Sequence, residues 1–586
     1  MDGLRLAVIS HRFDAVVGSM MNTLFRSGRS GVLNSAHDFS CCIVSAAHEL
    51  VMGAESLPIH LMSGPDLISR AISAAHPNLK RGDAFLHNSP YNGNSHAADH
   101  AMLVPVVDQE GRHRFSVLAK AHQADCGNSQ PTTYMASASD VYEEGALLFD
   151  AVQAQNDYRD NEDLIRACRL RIRVPDQWWG DYLALLGAVR VGEKRMLELG
   201  EELGWDELDS FAAEWFDYSE GVMAEVISRL PSGEATVVSK HDPFPGVPDG
   251  VDVRAKVVID GQERRILVDL RDNVACLPNG LNLTEATSRT AALVGVFNSI
   301  GATVPPNAGS FRRVQVLLRQ NCAVGIPVHP VSCSTATTNL ADRAANAVQR
   351  AMAELCDGAG LAEVGPVIPA AAGVVSGRDP RHGNAAFVNQ IFMMVTGGAA
   401  TPTSDAWLTT FHVGGAGMLR RDSVEVAERR HPLRVHVQRL LADTEGAGTY
   451  RGAPSAYVEY GPVGTTLFVA YGADGAVNAA QGARGGLPGG ACRHFKRTRD
   501  EDLEELPSLG IVELHDGERM VSVTCGGGGY GPPEQRDPAL VRRDVVEGWI
   551  SVQRAGEVYR VALTDSLEID VVKTAALRRI ASPGQA

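Results

Sequence analysis

The stretch LHNSPYNGNSHAADHAMLVPVVDQEGRHRFSVLAKAHQADCGN, Leu86 to Asn128, frames the reading of the whole chain. Two apolar runs, Met102 to Val107 and Arg114 to Ala119, are joined by Asp108-Gln109-Glu110-Gly111, which predicts an antiparallel hairpin. With the turn near Glu110-Gly111, residue i on the first strand should face roughly residue 220 minus i on the second. Asp99 and His100 are then expected opposite the pair Lys120-Ala121, so His96 to His100 and His122 to Asp125 emerge at one end. A register error of about two residues would not separate them.

Working outward, Ala84 to Asn88 and Phe39 to Val44 read as further strands, with Ala46 to Leu50 a turn. The segment Met1 to Ser30 places Ile9, Phe13, Val16, Val17, Met20, Met21 and Leu24 on one helical face. His11, Arg12 and Asp14 interrupt it, so it is read as a docked amphipathic helix rather than a secretory or membrane segment. Residues 137 to 230 turn helical in character, and no proline falls between Pro175 and Pro231. The Pro/Gly/Asp-rich stretch Pro231 to Gly250 marks a boundary. Beyond it, Arg254 to Ile259, Arg265 to Asp269, Val314 to Leu318, Tyr457 to Tyr460 and Thr466 to Tyr471 read as short strands, with a helical interlude at Asn339 to Asp357. Arg497 to Glu505 reads as a solvated loop.

The expected fold is α/β (α+β) and multi-domain, with mixed and antiparallel sheets, a helical segment and a β-rich, Gly-rich C-terminal half. Its regions are 1–136 (an N-terminal α/β region carrying the polar cluster), 137–235 (mainly helical) and 236–586 (β-rich). The 586 residues, 44% hydrophobic and 21% charged, have ample material for such cores. The net charge of -16 disfavours phosphate backbones and anionic lipid as partners. Ten scattered cysteines without a CxxC pair argue against a zinc ribbon or a disulfide scaffold, and fit reduced thiols in the cytoplasm.

The densest polar cluster is His87, His96, His100, His122, Asp99 and Asp125. Imidazole and carboxylate converging at a strand end suit Zn²⁺, Mn²⁺ or Fe²⁺ in an open hydrolytic site. The competing structural account is that loop histidines are commonly only hydrogen-bonded. His37, His48, His76 and His113 read as turn residues of that kind. There is no G-x-S-x-G elbow, and Cys126 beside His122 is the one thiol-nucleophile alternative. The glycine stretches Gly482 to Gly490 and Gly526 to Gly531 lack a Walker lysine; they read as tight turns against neighbouring backbone rather than as a nucleotide site.

Several blocks resemble the hydantoinase B/oxoprolinase family. HDFSCCI (His37 to Ile43) is similar to its DFSCA-type strand and LPIHLMSGP (Leu57 to Pro65) to its IPVHLGSMP-type segment. LHNSPYNGNSHAAD (Leu86 to Asp99) is similar to NDPYxGGTHxxD, and AHQADCGN (Ala121 to Asn128) to AHHxDIGG. VYEEG (Val141 to Gly145), PNGLNLTEAT (Pro278 to Thr287), PNAGSFR (Pro306 to Arg312), DTEGAGTYRG (Asp443 to Gly452) and GGGGYGPPEQRDP (Gly526 to Pro538) follow in the family's order. Ser89, Asn94, Gln123 and Asn128 depart from the pattern.

The resemblance implies one component of an ATP-dependent hydantoin-, lactam- or oxoproline-type amidohydrolase, a hydrolase of cyclic C–N bonds. An ATP-binding A-type partner would phosphorylate the amide oxygen, in a heterotetramer or larger assembly, and this chain would complete ring opening at a divalent metal, Zn or Mn. Carried onto this sequence, the implied metal ligands are Asp38, His96, His122 and Asp125, and Asp38 enters only through the resemblance. Asp99, a further ligand or neighbouring carboxylate, is the expected general base; His122 is also expected to be catalytic, and His60 to orient substrate or to be a structural histidine. The alternatives are a component of a ketone carboxylase of the acetone or acetophenone type, and a non-catalytic scaffold.

Overall fold

The computed structural model describes residues 2–301 and 304–581; Met1, at the head of the N-terminal segment, and residues 582–586 lie outside them. The fold is a mixed α/β arrangement of four sheets and packed helices. The first sheet comprises β1 (Phe39–Ser45), β2 (Leu50–Gly53), β3 (Ala84–His87), β4 (Asp99–Val107), β5 (His113–His122), β6 (Val152–Asn156) and β7 (Arg159–Asp160). Its order is β2-β1-β5-β4-β3-β6-β7. β4 is buried along its whole length, which is why it reads as a continuous apolar run rather than an alternating one.

One face of this sheet packs Ala119, Ala121, Met102 and Val104 against the N-terminal helix Gly3–Ser27, through Ile9, Phe13, Val17, Met20 and Leu24. Asp2 caps that helix by accepting from Arg5 N. The other face packs Leu103, Leu118 and Phe85 against Ile68 and Ile72 of the helix Pro65–Ala75. The β4–β5 hairpin forms as expected, but its register is one residue off the simple count: Asp99 faces His122 and His100 faces Ala121. The cause is a bulge between Val106 and Val107, which adds a residue to one strand and shifts every pair beyond it.

Residues 137 to 230 are less uniformly helical than their composition suggests. Residues 152–160 supply β6 and β7 at the edge of the first sheet, and beyond them the helices are Glu162–Arg171, Pro175–Leu203 and Trp205–Ser228. Pro175 opens the second of these, where a missing N–H costs nothing. Gly204, at φ 89°, separates it from the third.

The second sheet, β8 (Gly233–His241), β9 (Val251–Asp260), β10 (Arg265–Asp269) and β11 (Val314–Leu317), runs in the order β11-β10-β9-β8. β8 begins inside the Pro/Gly-rich stretch at 231–250, so part of that stretch is strand. The helix Asn339–Leu355 packs on this sheet, as does a helix the sequence did not announce, Glu285–Ser299. Eleven of the latter's fifteen residues are buried, polar Thr287, Ser288 and Thr290 among them, so its apolar residues mark out no one-sided helical period.

The C-terminal strands are β12 (Val374–Asp379), β13 (Ala385–Gln390), β14 (Leu433–Leu440), β15 (Ala456–Pro462), β16 (Leu467–Gly472), β17 (Arg493–Arg497), β18 (Leu503–Leu506), β19 (Leu509–Leu514) and β20 (Arg519–Val523). They form two sheets, β13-β12-β16-β19 and β14-β15-β20-β17-β18. The charged run Arg497 to Glu505, expected as a loop, is largely the tip of the β17–β18 hairpin. The glycine stretches are packed backbone to backbone. A Cβ on Gly527 would lie 1.8 Å from the Gly398 carbonyl oxygen, and one on Gly486 would lie 2.0 Å from that of Gly529. Among the described residues no helix is long and apolar enough to cross a membrane.

Candidate metal centre

Strand alternation decides which side chains meet. Asp99 on β4 and His122 on β5 are directly paired and point to the face covered by the helix Pro65–Ala75; Ala101 and Lys120, two residues back along each strand, share that face. His100, one residue on from Asp99, points to the other face, where its ring meets Phe149 and Trp178 edge-on. His96 reaches the face from the loop that precedes β4. Asn94, where the family's pattern has glycine, pins that loop by donating to the carbonyls of His96 (2.6 Å) and Asp99 (2.8 Å).

The result is a buried cluster. His96 Nε2 lies 2.9 Å and His122 Nδ1 3.0 Å from the same oxygen, Asp99 Oδ1, and 3.2 Å from one another. His96, Asp99 and His122 are at most 1% exposed. Among the described residues they form the one group of three His, Cys, Asp or Glu side chains whose ligand atoms all lie within 4.8 Å of one another. His96 Nδ1 donates to the Ser334 carbonyl oxygen at 2.8 Å, which leaves Nε2 of the neutral ring as a lone pair. His122 Nε2 pairs with Thr133 Oγ1 at 3.1 Å, so its Nδ1 also faces inward. Acceptor atoms converging this closely need a cation between them, either a proton or a metal ion. Two imidazoles and a carboxylate are the donor set that Zn²⁺ or Mn²⁺ takes, and the residues fit such an ion.

Two more expected residues complete the surroundings. His60 Nε2 lies 3.1 Å from Asp99 Oδ2 and 3.7 Å from Asp38 Oδ1. Ser40, on β1, sits 3.5 Å from His60 Nδ1. The two carboxyl groups are driven apart. Burial and the neighbouring Asp99 charge raise Asp38 well above the usual carboxylate range. Burial alone would raise Asp99 too, but the facing His96 and His60, with the hydrogen bonds from His122 and His60, hold it well below that range. Burial lowers the pKa of His60 and of His122, whereas at His96 burial is outweighed by the Asp99 charge and hydrogen bond together with the Ser334 carbonyl and the Asp38 charge, which raise it. Tyr134 closes one side, its ring centroid 5.4 Å from His122 and 5.9 Å from His96.

Asp125 is not brought into the cluster. Its Oδ1 accepts from Gly127 N (3.0 Å) and the Arg173 guanidinium (3.1 Å), and its Oδ2 accepts from Arg173 N (2.6 Å). The chain turns after β5, where Gln123 N bonds the Ala98 carbonyl, and by Asp125 it faces the segment leading into the helix Pro175–Leu203. Asp99, rather than Asp125, is the carboxylate that meets His96 and His122. His87 also stays apart: its Nδ1 accepts from Ala151 N at 3.1 Å. Gln123 bonds the carbonyl of Ala121 on its own chain. Cys126 is buried and donates to Asn128 Oδ1 at 3.0 Å, and burial with the adjacent Asp125 holds its thiol above the usual range, which disfavours the thiolate a nucleophile needs.

Sequence reasoning also missed Ser95 and Lys120. Ser95 Oγ lies 2.5 Å from Asp99 Oδ2, and Lys120 Nζ lies 3.4 Å from Ser95 Oγ. The two-residue spacing of Lys120 from His122 was the available signal, since it puts both on one face.

The profile of the hydantoinase B/oxoprolinase family matches residues 2–533. The β subunit of caprolactamase from Pseudomonas jessenii is 28% identical over 588 residues, covering 98% of this chain and 99% of that one. The B component of a putative D-/L-hydantoinase from Pseudomonas sp. strain NS671 is 27% identical over 602 residues, covering 99% and 98%. In three dimensions, the crystal structure of the P. jessenii ATP-dependent caprolactamase aligns with a TM-score of 0.89 at 24% identity, covering 99% of this chain and 100% of that one. A nucleotide-free acetone carboxylase structure aligns with a TM-score of 0.86 at 16% identity, covering all of this chain but 84% of the other. With the family profile spanning nearly the whole sequence and the shared fold behind it, this chain belongs to the hydantoinase B/oxoprolinase family.

Proposed function

We propose that this chain is the hydrolytic component of an ATP-dependent amidohydrolase acting on cyclic amides of the lactam, hydantoin or oxoproline type. In this reading a nucleotide-binding partner phosphorylates the amide oxygen, and this chain opens the activated ring. The observation that carries the proposal is the convergence of His96 Nε2, His122 Nδ1 and Asp99 Oδ1 in a buried site. Relatives that are themselves named as the β or B component of an enzyme support a partner chain.

His96, Asp99 and His122 would hold a divalent ion, which would make a water acidic enough to act as a nucleophile near neutral pH. The protein's own groups do the rest. The Ser334 carbonyl and Thr133 fix the two rings, and Tyr134 shields them from bulk water. Attack of water on the activated carbon releases a proton that needs an acceptor within hydrogen-bond reach. His60, kept neutral by burial, donates Nε2–H to Asp99 Oδ2, so its free nitrogen is Nδ1; that atom is assigned the proton, and Asp99 the role of ligand rather than base. Asp38, raised well above the usual carboxylate range, is the matching acid: it protonates the ring nitrogen as the C–N bond breaks, and a second water then releases phosphate from the acyl phosphate that remains.

Identity supports hydrolysis over carboxylation: the caprolactamase and hydantoinase relatives are 28% and 27% identical, against 23% for the acetophenone carboxylase delta subunit of Aromatoleum aromaticum. The test is to reconstitute the purified chain with an A-type, nucleotide-binding partner. Ring opening of hydantoin, oxoproline or caprolactam is then followed with and without ATP. ATP-dependent opening of one of them is expected. Turnover of none, or bicarbonate-dependent consumption of a ketone instead, would contradict the proposal.

A further inference from the structure

Lys120 is fully buried, and its ammonium makes no ion pair among the described residues. Isolating such a charge from water is costly, and its neighbours must offset that cost. It stands on β5 opposite Ala101 on β4 and Ser40 on β1, and the small Ala101 side chain leaves room for its stem beside Asp99. Gly64, at φ 118°, packs over its tip: a Cβ there would lie 3.4 Å from Nζ. The one hydrogen-bond acceptor within reach of Nζ among the described residues is Ser95 Oγ, at 3.4 Å.

An ammonium has donors and no acceptor, so Ser95 Oγ accepts from Lys120. The single hydroxyl proton of Ser95 is thereby committed to its other neighbour, Asp99 Oδ2, at 2.5 Å. With Oδ2 held by Ser95 and His60, Asp99 turns Oδ1 toward His96 Nε2 and His122 Nδ1. We infer that Lys120 is a positioning residue for the metal centre, acting through Ser95 to fix which oxygen of Asp99 is presented as ligand. The inference rests on the reading of His96, Asp99 and His122 as a metal site, and is independent of which substrate the enzyme opens.

The experiment measures Zn²⁺ and Mn²⁺ affinity of the purified chain by competition with a chelating dye, without substrate or partner. Outer partners of a metal ligand contribute about tenfold or more to affinity. Lys120→Met, which keeps length and volume, and Ser95→Ala should each weaken binding by about that factor. Lys120→Arg and Ser95→Thr should restore most of it. Because the lysine acts through the serine, the double variant should be no weaker than Ser95→Ala alone. Losses that multiply in the double variant, unchanged affinity in Ser95→Ala, or a wild-type chain that binds no metal would each overturn the inference. The serine variants keep it testable should Lys120→Met not fold. A chain that binds metal with this pattern yet opens no cyclic amide would contradict the proposed reaction and leave the relay standing.

Discussion

Asp99 and His122 face each other across β4 and β5 as a directly paired couple, with His122 Nδ1 3.0 Å from Asp99 Oδ1. Their meeting depends on the bulge at Val106 and Val107, without which the strands would be offset by one residue and one of the two would turn to the opposite face. Backbone irregularity near the hairpin turn thus sets the chemistry at its far end.

His122→Ala should remove one of three converging protein ligands and weaken metal binding by roughly two orders of magnitude or more. As a strand-end side chain it contributes modestly to the core, so the variant should still fold. His113, at the turn end of the same strand, bonds Ser116 Oγ at 2.9 Å, far from the cluster, and should tolerate alanine with full activity. Metal content and turnover, with circular dichroism as the folding control, check both variants. A His122→Ala protein with full metal occupancy would remove His122 from the site.

Asp125→Asn should separate stability from metal binding. It weakens the pair with Arg173, whose side chain is partly exposed, at a cost of about 1–3 kcal/mol. Metal stoichiometry should stay at the wild-type value, because Asp125 bonds Arg173 and Gly127 rather than the cluster. Loss of metal with an unchanged melting temperature would restore Asp125 as a ligand.

Buried neutral histidines make the fold acid-sensitive. Burial lowers His494 and His100 from 6.5 to about 3. Each binds a proton more readily in the unfolded chain, so the stability it contributes is complete above pH 6.5 and falls as the pH drops from there toward 3. The slope is about 1.4 kcal/mol per pH unit for each such group. Melting temperatures across mildly acidic pH should show a shallower fall in His494→Asn than in the wild type; equal slopes would count against the assignment.

Gly527→Ala should fail to fold, since the new Cβ would meet the Gly398 carbonyl oxygen at 1.8 Å. Gly556→Ala, with nothing within 4 Å of its Cβ, should be neutral or slightly stabilising in its helix. Soluble expression and thermal melting compare the two. A well-folded Gly527→Ala protein would show that the glycine layers have more room than their packing indicates.

Much of this was legible from the residues, and the exceptions have physical causes. The β4–β5 hairpin, the N-terminal helix and the helix at Asn339 announce themselves by turn chemistry and periodicity. The helix Glu285–Ser299 does not, because tertiary burial on nearly all sides erases its period. His96 and His122 converge from hairpin geometry alone. Asp38 lies on a different strand's approach and is reached only through the family resemblance, and the exchange of Asp125 for Asp99 depends on where the chain turns after β5. Lys120 reads as an ordinary strand residue until its burial is known.

The most direct measurement is ATP-dependent ring opening by the reconstituted complex after the chain has been stripped of metal, and again after Zn²⁺ or Mn²⁺ is restored. The account expects turnover to vanish on stripping and to return with stoichiometric metal in the wild type, but not in a folded Asp99→Asn variant. Turnover that survives complete metal removal, or an Asp99→Asn protein that recovers fully, would contradict it.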